Sequence, residues 1–299
     1  MLPTLRQLQY LKLLAEHGSF SRAADAAHVT QPTLSAGVQE LERILGAPVV
    51  ERARSGVILT AVGEEAVGRA QDVLARAEDL VQAARSAGQP LSGRFRLGVI
   101  PTIAPFVLPR ALPELRTRFP ALRLFLREDL TGRLIAGLRS GALDAALIAL
   151  PWDVHGLETA PVGDDELLAV APANHRFARE RFIGPEALES GELILLEGGH
   201  CLREHALAAC RMEEPRPGGA EGEAFAATSL PTLVQMVGSG LGVTLLPAMA
   251  VDAGLASDPS VAVVPLRAKA PSRQIVVAWR TGSSRAREGR LLAETLREI

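Results

Sequence analysis

The hydrophobic periodicity of the chain changes near residue 90, and no other feature restricts the fold so strongly. From Arg94 onward, short β-like runs alternate with helical ones: RFRLGVI, a helix at about 104–118, LRLFLRE, a helix at about 131–140, then AALIAL. A second set follows, with ELLAVAP, ELILLE, a helix from about 200, an inserted loop, a helix at about 230–238 and VTLLP. The chain closes on RQIVVAW and a helix from about 284. This alternation predicts a parallel α/β sheet. The closing strand and helix return to the first set. That makes two lobes with a cleft between them, and ligands of such sheets bind at the carboxyl ends of the strands.

The first 60 residues are helical in period instead. Leu5, Leu8, Leu11 and Leu14 mark one face of a helix that Gly18 ends. Ser19 or Ser21 suits the next N-cap, and Ala23, Ala24, Ala26 and Ala27 continue a short helix of small residues. His28-Val29-Thr30 reads as a tight turn, with Thr30 as N-cap and Pro32 in the first helical turn. A third helix at about 31–45 carries Leu34, Val38, Leu41 and Leu45 on one side and stops at Gly46. Small residues in one helix let the next approach closely, so the set reads as a helix-turn-helix. Gln31, Pro32, Thr33 and Ser35 lie at the opening of the third helix, where side chains and free N–H groups can reach bases and phosphates, and Ser21 at the opening of the second helix is a further DNA-binding candidate. Residues 49–60 then read as strand, turn, strand. This is a wing, with Arg52 and Arg54 as phosphate or minor-groove candidates.

Residues 60–88 form one long run in which Val67, Ala70, Leu74, Ala77, Val81 and Ala84 repeat at spacings of three and four. It reads as a linker helix with a partner helix in a second copy. The predicted organisation is a winged helix-turn-helix domain at 1–59, a linker helix at 60–88, a hinge at 89–93 and an α/β effector domain at 94–299. Lobe I is expected at about 94–164 plus 270–299, and lobe II at about 165–269. The 299 residues suit this count.

Composition excludes several classes. Lys+Arg 32 against Asp+Glu 34 gives a formal net charge of −2, so any contact with nucleic acid is a local patch. With 8 Phe, 2 Trp and 1 Tyr, base stacking is not the main device. No apolar stretch is long enough to span a membrane. The N-terminus lacks the pattern of a secretory signal, so the cytoplasm is the expected compartment. No metal-ligand spacing, phosphate-cradling glycine loop or Ser/His/Asp arrangement stands out, so no cofactor and no enzymatic activity are expected. Cys201 and Cys210 are the 2 cysteines, too few for a disulfide framework in a chain of this length.

Residues Ser19 to Leu59 resemble the winged helix-turn-helix of LysR-type transcriptional regulators, and the resemblance extends through linker, hinge and a two-lobed effector domain of the periplasmic-binding-protein type. It implies a regulator of double-stranded promoter DNA, commonly a homotetramer built as a dimer of dimers, that works on RNA polymerase. Four effector segments resemble the peroxide-sensing members more specifically: Gly98–Thr102, Leu143–Leu150, Leu195–Arg203, and Ala227–Leu230 running to Gly242–Ala248. The GHCLR segment with a second Cys nine residues on is the most specific of them. By this resemblance Cys201 reacts with hydrogen peroxide and Cys210 resolves the product. Thr102 and Thr131 match positions that hold peroxide and water, and His200, Arg203, Asp144 and Arg273 match neighbours of the reactive sulfur.

Two segments depart from the family pattern. Ser35-Ala36-Gly37-Val38-Gln39 is poor in base-reading side chains, and Gly37 costs about 1 kcal/mol in a helix interior relative to Ala. The segment RMEEPRPGGAEGEAF after Cys210 is long and lacks a His just before its Phe.

If Cys201 and Cys210 share a helix, their Cα atoms stand roughly 13 Å apart on opposite faces. A disulfide needs about 7 Å or less. Helix and disulfide then exclude each other, so a bond that forms is a switch rather than a staple. Thiolate is the form that attacks peroxide, and a helix N-terminus with His200 and Arg203 nearby favours it. Two other readings stay open. One is a regulator of the same fold answering a small-molecule ligand in the cleft, with incidental cysteines. The other is a thiol peroxidase or disulfide oxidoreductase, which the lack of a Cys-x-x-Cys and the presence of a DNA-binding module oppose. His205 reads as a surface or loop histidine.

Overall fold

The computed structural model describes residues 2–53, 56–85, 90–188, 192–210, 226–267 and 271–299. Its contacts divide the chain into two compact units, one built chiefly from residues 1–88 and one from residue 89 onward.

The first unit holds α1 (Leu5–His17), α2 (Phe20–Ala26), α3 (Gln31–Leu45), β1 (Val50–Ala53), β2 (Gly56–Leu59) and α4 (Ala61–Arg85). A capping box opens α1: the Thr4 side chain accepts the N–H of Gln7, and the Gln7 side chain accepts that of Thr4. Gly18 and Gly46 close α1 and α3 in the left-handed region, at φ 61° and 73°. Ser19 and Thr30 stand at the N-caps of α2 and α3, but neither side chain makes a capping bond. Ala23 and Ala24 are buried, so α2 packs closely on the Leu8, Leu11, Leu14, Leu34, Leu41 and Val49 core. β1 and β2 pair antiparallel as the wing. Thr60 starts α4: its Oγ1 accepts the Gly63 N–H at 2.9 Å and donates to Pro48 O at 2.8 Å.

The second unit runs β3 (Gly93–Val99), α5 (Ala104–Arg118), β4 (Leu122–Glu128), α6 (Thr131–Arg139), β5 (Ala145–Leu150), β6 (Leu157–Pro172) and β7 (Leu195–Leu196). It continues with α7 (Cys201–Ala209), β8 (Ala226–Ala227), α8 (Leu230–Gly238), β9 (Thr244–Pro247), α9 (Ala248–Asp252), β10 (Val261–Pro265), β11 (Ser272–Arg280) and α10 (Ala286–Arg297). The main sheet runs β10-β6-β11-β5-β3-β4, with β9 also on β6. β3 pairs parallel with β4 and β5, whereas β11 is antiparallel to both β5 and β6. The sheet is therefore mixed, not parallel throughout as the alternation predicts. An apolar run such as IVVAW sets burial on both faces but carries no direction. Direction is set here by the 16-residue β6, along which β11 returns.

β6 and β11 thread both lobes. Lobe I is organised round Phe95, Leu97, Val99, Leu134, Val276 and Trp279. Lobe II is organised round Leu167, Val170, Leu196, Leu233, Val243 and Leu245. Helix α7 divides between them. Cys201 packs in the core of lobe I, while Leu202, Ala206, Leu207 and Cys210 pack in that of lobe II.

Candidate functional site

Helix α7 begins abruptly. Gly199 takes φ 93°, a left-handed value that suits glycine, and His200 is the N-cap. Cys201 is thereby the first helical residue. Its side chain is 2% exposed and faces a small closed pocket lined by Ile100, Pro101, Thr102, Leu130, Thr131 and His200. The pocket is too narrow to admit a water-sized sphere.

The pocket's polar wall comes from lobe I and from the shared strands. Thr102 follows β3, and Thr131 opens α6; both are buried. Arg273, on β11, is fully buried. Its Nη1 donates to Thr102 Oγ1 at 2.8 Å, and its Nη2 donates to the Thr102 carbonyl at 3.0 Å. Its Nε donates to Asp165 Oδ2 at 2.9 Å, and Asp165 Oδ1 accepts the Met249 N–H at 3.0 Å. The β6–β11 register puts Arg273 directly opposite Asp165. One guanidinium thus joins lobe I, both shared strands and the start of α9. Because Thr102 Oγ1 accepts from Arg273, its own proton is left to donate to another oxygen. Thr131 Oγ1 is fully buried and has no hydrogen-bond partner among the described residues. It lies close enough to the Cys201 sulfur to favour the thiolate.

Burial pushes the Cys201 thiol above its ordinary pKa; the positive field of Arg273 and the Thr131 hydroxyl oppose that rise, and the Glu204 carboxylate adds to it. The reduced residue is therefore a thiol at neutral pH, held beside groups that stabilise its anion. Burial alone pushes Cys210 up to about 11. Burial lowers the pKa of His200, with Glu197 opposing, so the N-cap imidazole is neutral at pH 7. Both cysteines are free and buried.

Cys201, Thr102, Thr131, His200 and Arg273 come together. Two other residues expected there do not. Asp144 precedes β5 at the end remote from the pocket, where it accepts the Arg96 backbone N–H at 2.6 Å and pairs with the Arg96 guanidinium at 2.8 Å. That pairing between neighbouring strands accounts for its burial without any contact to Cys201. Arg203 lies one turn into α7 but turns toward lobe II, where its Nη1 donates to Leu196 O at 3.1 Å. His205 is a correction of the opposite kind. It is 7% exposed, four residues after Cys201 on the same side of α7, and its Nε2 lies 3.1 Å from Pro151 O. Burial is the main cause lowering its pKa, the Arg273 charge lowers it further, and the Pro151 carbonyl opposes. Asp165 lies in a DDE run that carries no local signal of burial.

In the first unit, Ser21, Gln31, Pro32 and Thr33 are exposed together and Ser35 is half-buried beside them. Ser21 Oγ donates to Gln31 Oε1 at 2.9 Å, tying the openings of α2 and α3. The Thr33 and Thr30 hydroxyls are 2.8 Å apart. Arg52 falls within β1, with its side chain outside the described residues, as are Arg54 and the segment 211–225. Among the described residues no helix is long and apolar enough to cross a membrane, and no group of three or more His, Cys, Asp or Glu could hold a metal ion.

A winged helix-turn-helix followed by a two-lobed, mixed-sheet effector domain defines a class of bacterial transcription regulators. Residues 5–64 match the bacterial regulatory helix-turn-helix protein of the lysR family, and residues 88–299 match the LysR substrate binding domain. The chain belongs to the LysR family. It is 40% identical over 298 residues to the HTH-type transcriptional regulator EstR of Acinetobacter baylyi, covering 100% of this chain and 97% of the relative. It is 37% identical over 294 residues to the hydrogen peroxide-inducible genes activator of Pectobacterium carotovorum, covering 98% and 96%. It is also similar to the solved structure of a full-length OxyR variant from Pseudomonas aeruginosa, with a TM-score of 0.78, 37% identity, and 99% and 95% of the two chains covered.

Proposed function

We propose that this chain is a LysR-type regulator of promoter DNA that senses hydrogen peroxide through Cys201, with Cys210 as the resolving thiol. The observation that carries the reading is the setting of Cys201: a buried thiol at a helix N-terminus, facing Thr131 and the Thr102–Arg273 pair, with a second free cysteine at the end of the same helix. The peroxide-activator name of one relative and the OxyR structure support it. The narrowness of the pocket opposes a metabolite-sized effector at this spot.

The chemistry balances as follows. Peroxide enters on a small opening of the pocket. The Cys201 thiolate attacks one peroxide oxygen, the O–O bond breaks, and the departing hydroxide takes a proton to leave as water. Thr102, held by Arg273, donates to the peroxide oxygen, and Arg273 stabilises the negative charge. The sulfenic acid on Cys201 condenses with the Cys210 thiol, releasing a second water and forming the disulfide. Two thiols are oxidised and one peroxide becomes two waters. The bond demands that α7 unwind, which changes the lobes on which the regulator is built and switches transcription on. Ser21, Gln31, Pro32, Thr33 and Ser35 meet the operator, with Arg52 and Arg54 on flanking phosphates. The working form is a homotetramer in the cytoplasm, acting on RNA polymerase.

The test is a thiol count before and after one equivalent of hydrogen peroxide, on the parent protein and on Cys210→Ser. Loss of two thiols in the parent, with a trappable sulfenic acid in the variant, is the expected result. Two unchanged thiols overturn the reading.

A further inference from the structure

Cys201 is not the only tie between α7 and lobe I. One turn further on, His205 reaches the carbonyl of Pro151, at the end of β5, with its Nε2 3.1 Å from the oxygen. A carbonyl only accepts, so Nε2 carries the proton; burial disfavours the charged ring, which leaves Nδ1 bare. That Nδ1 is buried and has no hydrogen-bond partner among the described residues. A buried ring nitrogen without a partner is costly, and a residue used only to fill space here needs no nitrogen at all. The other buried side chains of the helix, Leu202, Ala206 and Leu207, belong to the core of lobe II, so Cys201 and His205 are the buried side chains of α7 turned to lobe I.

We infer that His205 is a positioning residue and the second latch of the switch: its hydrogen bond to Pro151 O holds the first turns of α7 against lobe I, seats the Cys201 thiol before Thr131 and Thr102, and must break before Cys201 can reach Cys210. The inference rests on the peroxide reading of Cys201. It gives one residue opposite effects on two successive steps. While the latch is closed, Cys201 is presented to peroxide, and sulfenic acid forms. While it is closed, the helix also stays wound, and Cys210 stays more than a disulfide's reach away. Loss of a hydrogen bond that merely supported the fold would not divide in this way.

The experiment uses the full chain and three substitutions, His205→Leu, His205→Asn and His205→Gln. Gln places an N–H donor near the position of Nε2; Asn places its amide near Nδ1, short of Pro151; Leu has no donor. Sulfenic acid formation is timed in the Cys210→Ser background, and disulfide closure is timed in the chain with both cysteines after a short pulse of peroxide. With His205→Leu and His205→Asn, sulfenic acid formation is expected to slow and disulfide closure to quicken, each by about threefold to tenfold, the size set by the net worth of one hydrogen bond. With His205→Gln both rates return to those of the parent. If His205→Leu fails to fold, the Asn and Gln pair carries the test alone. Both rates unchanged, both moving the same way, or no rescue by Gln would overturn the latch while leaving the sensing role of Cys201 intact. A parent protein whose Cys201 does not react with peroxide overturns both.

Discussion

Cys201 and Cys210 sit at the two ends of one helix and in two different hydrophobic cores, the first in lobe I and the second in lobe II. Nine residues of helix keep their Cα atoms roughly 13 Å apart. A disulfide between them therefore withdraws a side chain from one core or the other and dissolves the helix that separates them. Amide hydrogen exchange over residues 201–210 is expected to be slow in the reduced protein and to lose its protection after one equivalent of peroxide, while Cys210→Ser keeps it. Retained protection in a protein shown to hold the disulfide would mean that the bond forms without unwinding α7.

The brace behind the pocket gives a second expectation. Arg273 and Asp165 are buried, bonded at 2.9 Å, and each has a further partner, Thr102 or the Met249 N–H. Arg273→Met leaves the Asp165 carboxylate buried without its charge partner, which costs about 3–5 kcal/mol. Replacing both, as Arg273→Met with Asp165→Leu, removes two charges together and recovers much of that loss. Urea unfolding of the reduced proteins checks this. The double variant is still expected to react slowly with peroxide, since the field that favours the Cys201 thiolate and the donor to Thr102 are both gone. A double variant as unstable as the single one would show that the Thr102 bonds, not the ion pair, hold the brace.

The two thiols set a dependence on pH. Burial pushes Cys210 from its ordinary 9.0 up to about 11, and it also raises Cys201. Below pH 9 the folded and unfolded chains both keep the proton, and the contribution to stability is whole. Above it the unfolded chain gives up the proton first, binds fewer protons than the folded chain, and stability falls as pH rises toward 11. Unfolding midpoints of the reduced protein between pH 8 and 11 are expected to fall more steeply for the parent than for Cys210→Ala. The same raised thiol makes the peroxide step faster with pH: while Cys201 stays mostly protonated, its thiolate fraction, and with it the rate of sulfenic acid formation, rises about tenfold per pH unit.

Local signals carried the DNA-binding unit and the start of α7 into the sequence. Gly18, Gly46 and Thr60 stop and start helices where their chemistry says they do, and GGH before Cys201 marks a helix opening. What the sequence hid is what depends on strand pairing. Asp165 is buried only because β11 runs antiparallel to β6 in the register that sets Arg273 opposite it. The family resemblance puts Asp144 beside the sulfur, but its contact, the Arg96 backbone, is made across strands 48 residues apart, where no local pattern shows it. His205 shows helical spacing from Cys201 in the sequence, but its burial comes from the end of β5, which no local pattern announces.

The glycine in the reading helix has a steric reason that its local cost conceals. Gly37 lies in α3 under the ring of Tyr10 on α1, and a Cβ at Gly37 would stand 2.6 Å and 2.8 Å from two ring carbons. Tyr10 is 4% exposed, so its ring is packed on the other side and cannot simply swing away. Gly37→Ala gains about 1 kcal/mol of helix propensity, yet the forced shift between α1 and α3 costs about 1–3 kcal/mol. The net expectation is a less stable helix-turn-helix with weaker binding to its promoter, because α3 is displaced from the Ser21–Gln31 contact that aligns its opening with α2. Tyr10→Leu combined with Gly37→Ala makes room for the methyl and is expected to recover part of the loss. Unfolding midpoints for the two single variants and the double variant form a closed cycle. A coupling near zero would show that α1 and α3 are not set against each other by this pair, and that Gly37 is there for another reason.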